Sequence, residues 1–283
     1  MILVADSGST KTAWGLVEGN ERKLFTTQGI NPFHQSVNEI SAVLNQDVFM
    51  ELPDGRLDAV YFYGAGCTDA KVPEVARAIR LSCAFEDTKV FVGSDLLGAA
   101  RALCGFQAGI VCILGTGSNS CYYDGERIVE NVSPLGYILG DEGSGAYIGK
   151  KLVGDILKKQ LPKRVCDLFH EEMKLTAADI IEKVYRQPMP NRFLAHVSQF
   201  CARHRDIREV FDFSVSCFRD FFIRNVQLYA RHDLKVNFVG SIAWFYQREL
   251  RTAAEELNFD VGKIIQSPLD AIIDYHQVCR GTV

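Results

Sequence analysis

The sequence lacks any apolar run that could cross a bilayer. Its opening stretch, Met1 to Ala5, stops at Asp6, far short of the ~18 residues a spanning helix needs. With a polar turn following at once, no signal peptide and no membrane partner are expected. An excess of basic charge is also missing: 31 Lys and Arg face 35 Asp and Glu, for a net charge of −4. No basic face dominates, which argues against a nucleic-acid partner. Nine cysteines are present, but none forms a CxxC pair and no clustered Cys/His set suits zinc. Most sit among apolar residues, where a reduced thiol behaves as a small hydrophobe. That usage fits a cytoplasmic protein. Low-complexity linkers and internal repeats are absent too, apart from one recurring hairpin design. What remains is ordinary globular composition, 47% hydrophobic and 23% charged over 283 residues, enough for one or two domains with cores of their own.

The hairpin design is the first positive signal. An apolar strand at 109–114 breaks into Gly115-Thr116-Gly117-Ser118-Asn119 and resumes as a strand to about Tyr123. Glycines let backbone N–H groups approach an anion, and Thr116 and Ser118 add hydroxyls. The chain opens in the same way. A strand at 1–5 leads into Asp6-Ser7-Gly8-Ser9-Thr10-Lys11-Thr12 and then a second strand at 13–17. Two phosphate-type hairpins in two halves point to a nucleotide held between similar domains.

Hydrophobic periodicity orders the rest. Strands are predicted at 21–28, 59–63 and 89–92, and helices at 37–44, 72–85 and 96–103. Pro32 disfavours helix at Asn31, which leaves that side chain on a loop at the sheet's end. The alternation is that of an α/β domain. A strand near Ile128 follows the second hairpin, and helix dominates from about 144 to 229. Its longest amphipathic segment is 210–229, with Phe211, Val215, Phe218, Phe222 and Val226 on one core-facing stripe. A strand at 236–239 feeds Gly240-Ser241, a helix covers 242–257, and a short helix closes the chain near 268–278.

Three loops together carry a family resemblance: DSGSTKT from Asp6, GTGSN from Gly115 and GDEGSGAYIG from Gly140. They resemble the actin/hexokinase ATPase superfamily, in the branch of N-acetylglucosamine kinases and benzoyl-CoA-reductase-type activators. GTGSN followed by GDEGS is specific to the amino-sugar kinase side, and GSIAW at 240–244 falls at the superfamily's adenosine-contacting turn. The implied fold is α/β, with two ribonuclease H-like domains flanking a nucleotide/sugar cleft. One would span 1–106 and the other 107–283, with a helical insertion at about 144–232 and the last helix able to pack back on the first domain.

The resemblance also implies roles. Asp6 would bind Mg²⁺ through water, as a hard cation on phosphates requires oxygen ligands. Ser9, Thr10 and Lys11 would meet the ATP phosphates. Many relatives have DGGGT here, so Ser9 brings a side chain close to them. Gly115, Thr116 and Gly117 would form the second phosphate clamp, and Gly240 and Ser241 would contact adenosine or ribose. Asp95 would be the catalytic base for the sugar hydroxyl, although Ser94-Asp95 at a helix start is equally a capping pattern. Asn31, Asp95, Ser118, Asn119, Gly136 and Asp141 would hold the sugar. Capping at Asp141 and a loop-structural role at Asn31 are the competing readings. The expected activity is ATP-dependent phosphorylation of the 6-hydroxyl of N-acetylglucosamine or a close amino sugar, by a cytoplasmic homodimer. N-acetylmuramate, glucosamine and N-acetylmannosamine stay open as acceptors. Two alternatives stand beside it: an ATP-driven activator of a CoA-ester reductase or dehydratase, and a non-catalytic sugar sensor. The first would need cysteines set to bridge a [4Fe–4S] cluster, a context none of the nine has.

Overall fold

The computed structural model of the protein describes residues 1–8, 10–52, 57–83 and 87–281. The chain divides into two compact units. The first comprises Met1–Gln107, Gly125–Arg127 and Ser267–Val283, and the second Ala108–Asp124 and Ile128–Gln266.

In the first unit, β1 (Ile2–Ser7), β2 (Lys11–Glu18) and β3 (Glu21–Gln28) form an antiparallel meander. Parallel strands β4 (Ala59–Gly64) and β5 (Lys89–Ser94) extend it on the other side of β1, giving the order β3-β2-β1-β4-β5. Ile2, Leu3, Val4 and Ala5 are all fully buried. A central strand covered on both faces reads as such a continuous apolar run rather than an alternation. Helix α1 (Val37–Val43) starts at a capping box in which Ser36 and Glu39 satisfy each other's backbone N–H. Helix α2 (Val72–Ser82) has Pro in its first turn and stops where Cys83 turns extended. It is therefore shorter than its periodicity predicts; Phe85 falls outside the described residues. Helix α3 (Asp95–Cys104) leaves β5 with no intervening loop. The C-terminal helix, Leu269–Gly281, completes this unit by burying Ile272 and Ile273.

The second unit repeats the topology. Strands β6 (Gly109–Leu114), β7 (Ser118–Tyr123) and β8 (Ile128–Glu130) form the meander, and β9 (Val236–Val239) and β10 (Val261–Ile265) lie parallel beyond β6. Among the described residues this is again a five-stranded sheet, ordered β10-β9-β6-β7-β8. Between β8 and β9 come α4 (Gly136–Leu139), α5 (Gly145–Leu157), α6 (Lys163–Met173), α7 (Ala177–Tyr185), α8 (Pro190–Arg203) and α9 (Arg208–Arg224). After β9 follow α10 (Ser241–Phe245) and α11 (Gln247–Glu256).

Aromatic packing holds the helical block to the sheet. Phe218, Phe221 and Phe222 of α9 are fully buried, and Phe222 meets Phe238 of β9 with ring centroids 5.9 Å apart. Fully burying one such side chain contributes about 1.5–3 kcal/mol. The predicted segment 210–229 ends as α-helix at Arg224, and a 3-10 turn over Val226–Tyr229 follows. Its stripe is buried at Val215, Phe218 and Phe222 of α9 and at Val226 of that turn, while Phe211 is only half-buried.

Candidate active site

In the first unit the opening hairpin is tied from beneath. Ser7 Oγ and Thr12 Oγ1 are 2.6 Å apart, and Ser7 Oγ donates to Ile30 O and accepts from Ile30 N–H. Gly8 N–H closes the turn on Lys11 O at 3.0 Å. This knot fixes the end of β1, where Asp6 sits in electrostatic reach of both Asp95 and Lys11. Burial pushes the Asp6 carboxyl up to about 6, the Asp95 charge adds to that, and Lys11 opposes it. Asp95 is likewise raised, chiefly by burial, against the backbone N–H groups of Leu96 and its own residue. The helix cap is supplied by Ser94, whose Oγ accepts from Leu97 N–H at 3.2 Å. Asp95 engages Leu96 N–H through Oδ1 at 2.8 Å. Both carboxylates stand at the C-terminal ends of parallel strands β1 and β5, where ligands bind in open α/β sheets.

A donor set of two mutually repelling carboxylates suits Mg²⁺, which favours oxygen ligands and keeps several waters. Among the described residues no group of three or more His, Cys, Asp or Glu side chains forms a dedicated metal cage.

In the second unit, the tip of the 115–117 hairpin is bound to the start of α5. Gly145 N–H donates to Gly115 O at 2.9 Å and Ala146 N–H to Thr116 O at 3.1 Å, with Ser144 as N-cap. Asp141 is placed against the same tip. Its Oδ2 would be 3.0 Å from a Cβ on Gly117, and Ser118 N–H donates to its carboxylate. Burial raises Asp141 to about 6, against the Ser118 bond. Its backbone is left-handed, with φ at 55°, and its N–H is tied to Pro134 O. Asp141 therefore does not cap α5; that role belongs to Ser144. Gly240 closes the group. It has φ +119°, and a Cβ there would come 2.3 Å from Leu114 O. Only glycine lets this turn approach β6 so closely.

A cavity of about 480 Å³ opens beside these turns. Gly115, Thr116 and Ser241 line one side, His196 and Gln199 of α8 another, and Phe245 and Tyr246 a third. Helix α10 begins at Ser241, with Gly240 as N-cap and no side-chain cap bond. The Ser241 hydroxyl is thus not spent on capping.

Comparison with known structures decides the family. The chain is 48% identical to a candidate N-acetylglucosamine kinase from Porphyromonas gingivalis, covering 99% of this chain and 100% of that one, with a TM-score of 0.92. It belongs to the N-acetylglucosamine kinase-like family of actin/hexokinase-type ATPases. Two more distant structures share the fold. A candidate N-acetylglucosamine kinase from Chromobacterium violaceum has 16% identity and a TM-score of 0.70, over 97% of this chain and 98% of that one. A ROK family glucokinase from Streptomyces griseus, in complex with glucose and AMPPNP, has 15% identity and a TM-score of 0.56, over 99% of both chains. No family model and no curated protein matches the chain. Membership makes this N-acetylglucosamine kinase-like protein a sugar kinase, an enzyme that transfers a phosphoryl group to a sugar hydroxyl.

The predicted site residues of this kinase fall into two sets. Asp6, Lys11 and Asp95 come together in the first unit. Thr10 lies in the same turn, where its carbonyl accepts from Gly29 N–H, and Ser9 falls outside the described residues. Asn31 is buried, but its Oδ1 accepts from Phe33 N–H, the loop-structural bond that competed with sugar binding. In the second unit Gly115, Thr116, Gly117, Ser118 and Asp141 converge. Asn119 turns its Oδ1 to Ser120 N–H and Asn131 Nδ2. Gly136 opens α4 in a left-handed conformation. Sequence reasoning missed the α8 wall, because His196 and Gln199 carry no loop motif and read as surface positions of an amphipathic helix.

Proposed function

We propose that this kinase transfers the γ-phosphoryl group of ATP, with Mg²⁺, to the 6-hydroxyl of N-acetylglucosamine or a closely related amino sugar. The observation that carries the reading is the pairing of Asp6 and Asp95 at the strand ends beside Lys11. Family membership at 48% identity supports it. The Asp95 carboxylate, held through Oδ1 on Leu96 N–H, is the group to orient the sugar hydroxyl. As the hydroxyl oxygen bonds to phosphorus and the bridging bond to ADP breaks, the hydroxyl proton passes to Asp95. Asp6 would hold Mg²⁺ through water, and the ion would supply charge neutralisation on the phosphates. Thr10, Lys11 and the 115–117 backbone meet the phosphates. Ser9 of the same loop is assigned with them. The 480 Å³ cavity takes the nucleoside, with Ser241 in its lining and Gly240, the N-cap of α10, preceding it; both are assigned to adenosine or ribose. Asp141, Ser118, Asn119, Gly136 and Asn31 are assigned to the sugar, whose hydroxyls pair with amides and carboxylates in fixed directions.

The test is product identification. Wild-type protein is incubated with ATP, Mg²⁺ and N-acetylglucosamine, and phosphorus–proton correlation NMR locates the phosphate. A correlation to the C6 methylene protons is expected, and the 6-deoxy sugar should give no product. A phosphate on any other carbon would overturn the regiochemistry. The same family resemblance supports a cytoplasmic homodimer, which light scattering on the purified protein and cell fractionation check.

A further inference from the structure

Arg205 lies in the turn between α8 and α9. Its Nε donates to Ala202 O at 3.1 Å, in the last turn of α8, and its Nη2 donates to Phe245 O, at the end of α10. Helices α8 and α10 both line the 480 Å³ cavity, through residues that include Ala202 and Phe245 themselves. One guanidinium therefore ties two walls of the cavity together. Its planar fork of donors is suited to that, whereas a lysine ammonium is a compact point charge.

Behind Arg205 stands Glu249 of α11. It is completely buried, with Oε1 3.5 Å from Arg205 Nε. Neither of its oxygens accepts a hydrogen bond among the described residues. A buried carboxylate without donors is costly, and Arg205 is the cation paired with it. Glu249 also acts on Tyr246 and Cys201, both pushed up chiefly by burial, with Glu249 adding in the same direction. They stay protonated, so they do not compete with Arg205 for charge. Tyr246 continues the arrangement: it lines the cavity, its hydroxyl donates to Ser198 O of α8 at 2.5 Å, and the Arg205 Cζ lies 5.8 Å from its ring centroid. A buried ion pair adds little net stability compared with apolar packing. Its physical effect here is to hold the Arg205 fork in one orientation.

We propose that Arg205 and Glu249 form a clasp that fixes the spacing of α8 and α10, and so positions the nucleoside of the bound nucleotide. Both are positioning residues that act through the cavity walls. The inference rests on the assignment of this cavity to the nucleoside.

The experiment compares wild-type protein with Arg205→Met, Arg205→Lys and Glu249→Gln by calorimetric titration with ADP and by steady-state kinetics with ATP and N-acetylglucosamine. Arg205→Met should raise the ADP dissociation constant and the KM for ATP about tenfold, while kcat at saturating ATP and the KM for sugar hold, because loosened support lets a binding wall drift. Arg205→Lys keeps the charge beside Glu249 but cannot bridge both carbonyls, so it should recover part of the loss. Glu249→Gln should weaken ADP in the same direction. If Arg205→Met does not fold, the lysine variant decides alone. Unchanged ADP affinity in the folded variants overturns the clasp. So does a parallel fall in kcat and in both KM-derived affinities, since that is the signature of general damage. Failure of the wild-type protein to bind ADP overturns the cavity assignment itself, and the clasp with it.

Discussion

Asp95 and Asp6 differ in what their removal should expose. Asp95→Asn keeps the shape and the Leu96 contact but cannot accept a proton. Turnover should fall by about 10²–10⁴ with ADP affinity unchanged; a variant that retained wild-type kcat would remove Asp95 from the mechanism. Asp6 is read by pH. Its folded-state carboxyl lies near 6 instead of 3.8, so ionisation costs the free protein stability, and that cost grows as pH rises from about 4 to about 6. In the absence of ligand, Asp6→Asn should therefore raise the melting temperature at pH 7–8, with the gain disappearing by about pH 4. A gain that persisted at pH 4 would show that Asp6 is not raised. Asp141 tests the left-handed turn. Asn tolerates φ near 55° and Ala does not, so Asp141→Ala should lose roughly 1 kcal/mol more stability than Asp141→Asn. Thermal melts of the two variants check this.

At the scale of elements, the turn between β9 and α10 is a tight joint of the second unit. Gly240→Ala would put a methyl group against Leu114 O at φ +119°. It should destabilise by roughly 1–3 kcal/mol and raise the KM for ATP, as melts and ATP titration of the variant would show. That turn also illustrates what a sequence can yield. Strand and Gly240-Ser241 were readable from apolar runs and turn residues, as were both meanders, α1, and the helical block after about 144. The single helix predicted over 242–257 is instead two, α10 and α11, parted at Tyr246. The α/β class followed from their alternation. Strand β10 was missed because Val261–Ile265 is short and half-buried, with Lys263 breaking the apolar run. The left-handed conformations of Leu135 and Asp141 were not legible either: neither residue type demands a positive φ, and the bond from Asp141 N–H to the Pro134 carbonyl that spans this turn is a contact no local motif announces. Loop motifs marked the glycines and carboxylates of the site. The α8 wall of the cavity carries no motif, and only packing reveals it.

Over the whole molecule, two sheets with the same strand order are built from separate stretches of chain, and the last helix returns to the first unit. That return has a titratable centre. His276 stacks on Tyr61 at 3.6 Å, lies 2.8 Å from the Tyr63 hydroxyl, and faces Tyr275 and Arg101. Burial, and then the Arg101 charge, lower it from 6.5 to about 3. A histidine held neutral in the folded state contributes stability that is present above pH 6.5 and lost as pH falls toward 3. His276→Phe, which keeps the stack, should flatten the acid limb of the melting curve between those values; an unaltered limb would assign the acid sensitivity elsewhere. The measurement that tests the central claim most directly is ADP release, coupled to an optical readout, with ATP, Mg²⁺ and a panel of free sugars beside a sugar-free control. Release that depends on N-acetylglucosamine or a near analogue is the predicted result. Slow release indifferent to every sugar would contradict the kinase reading.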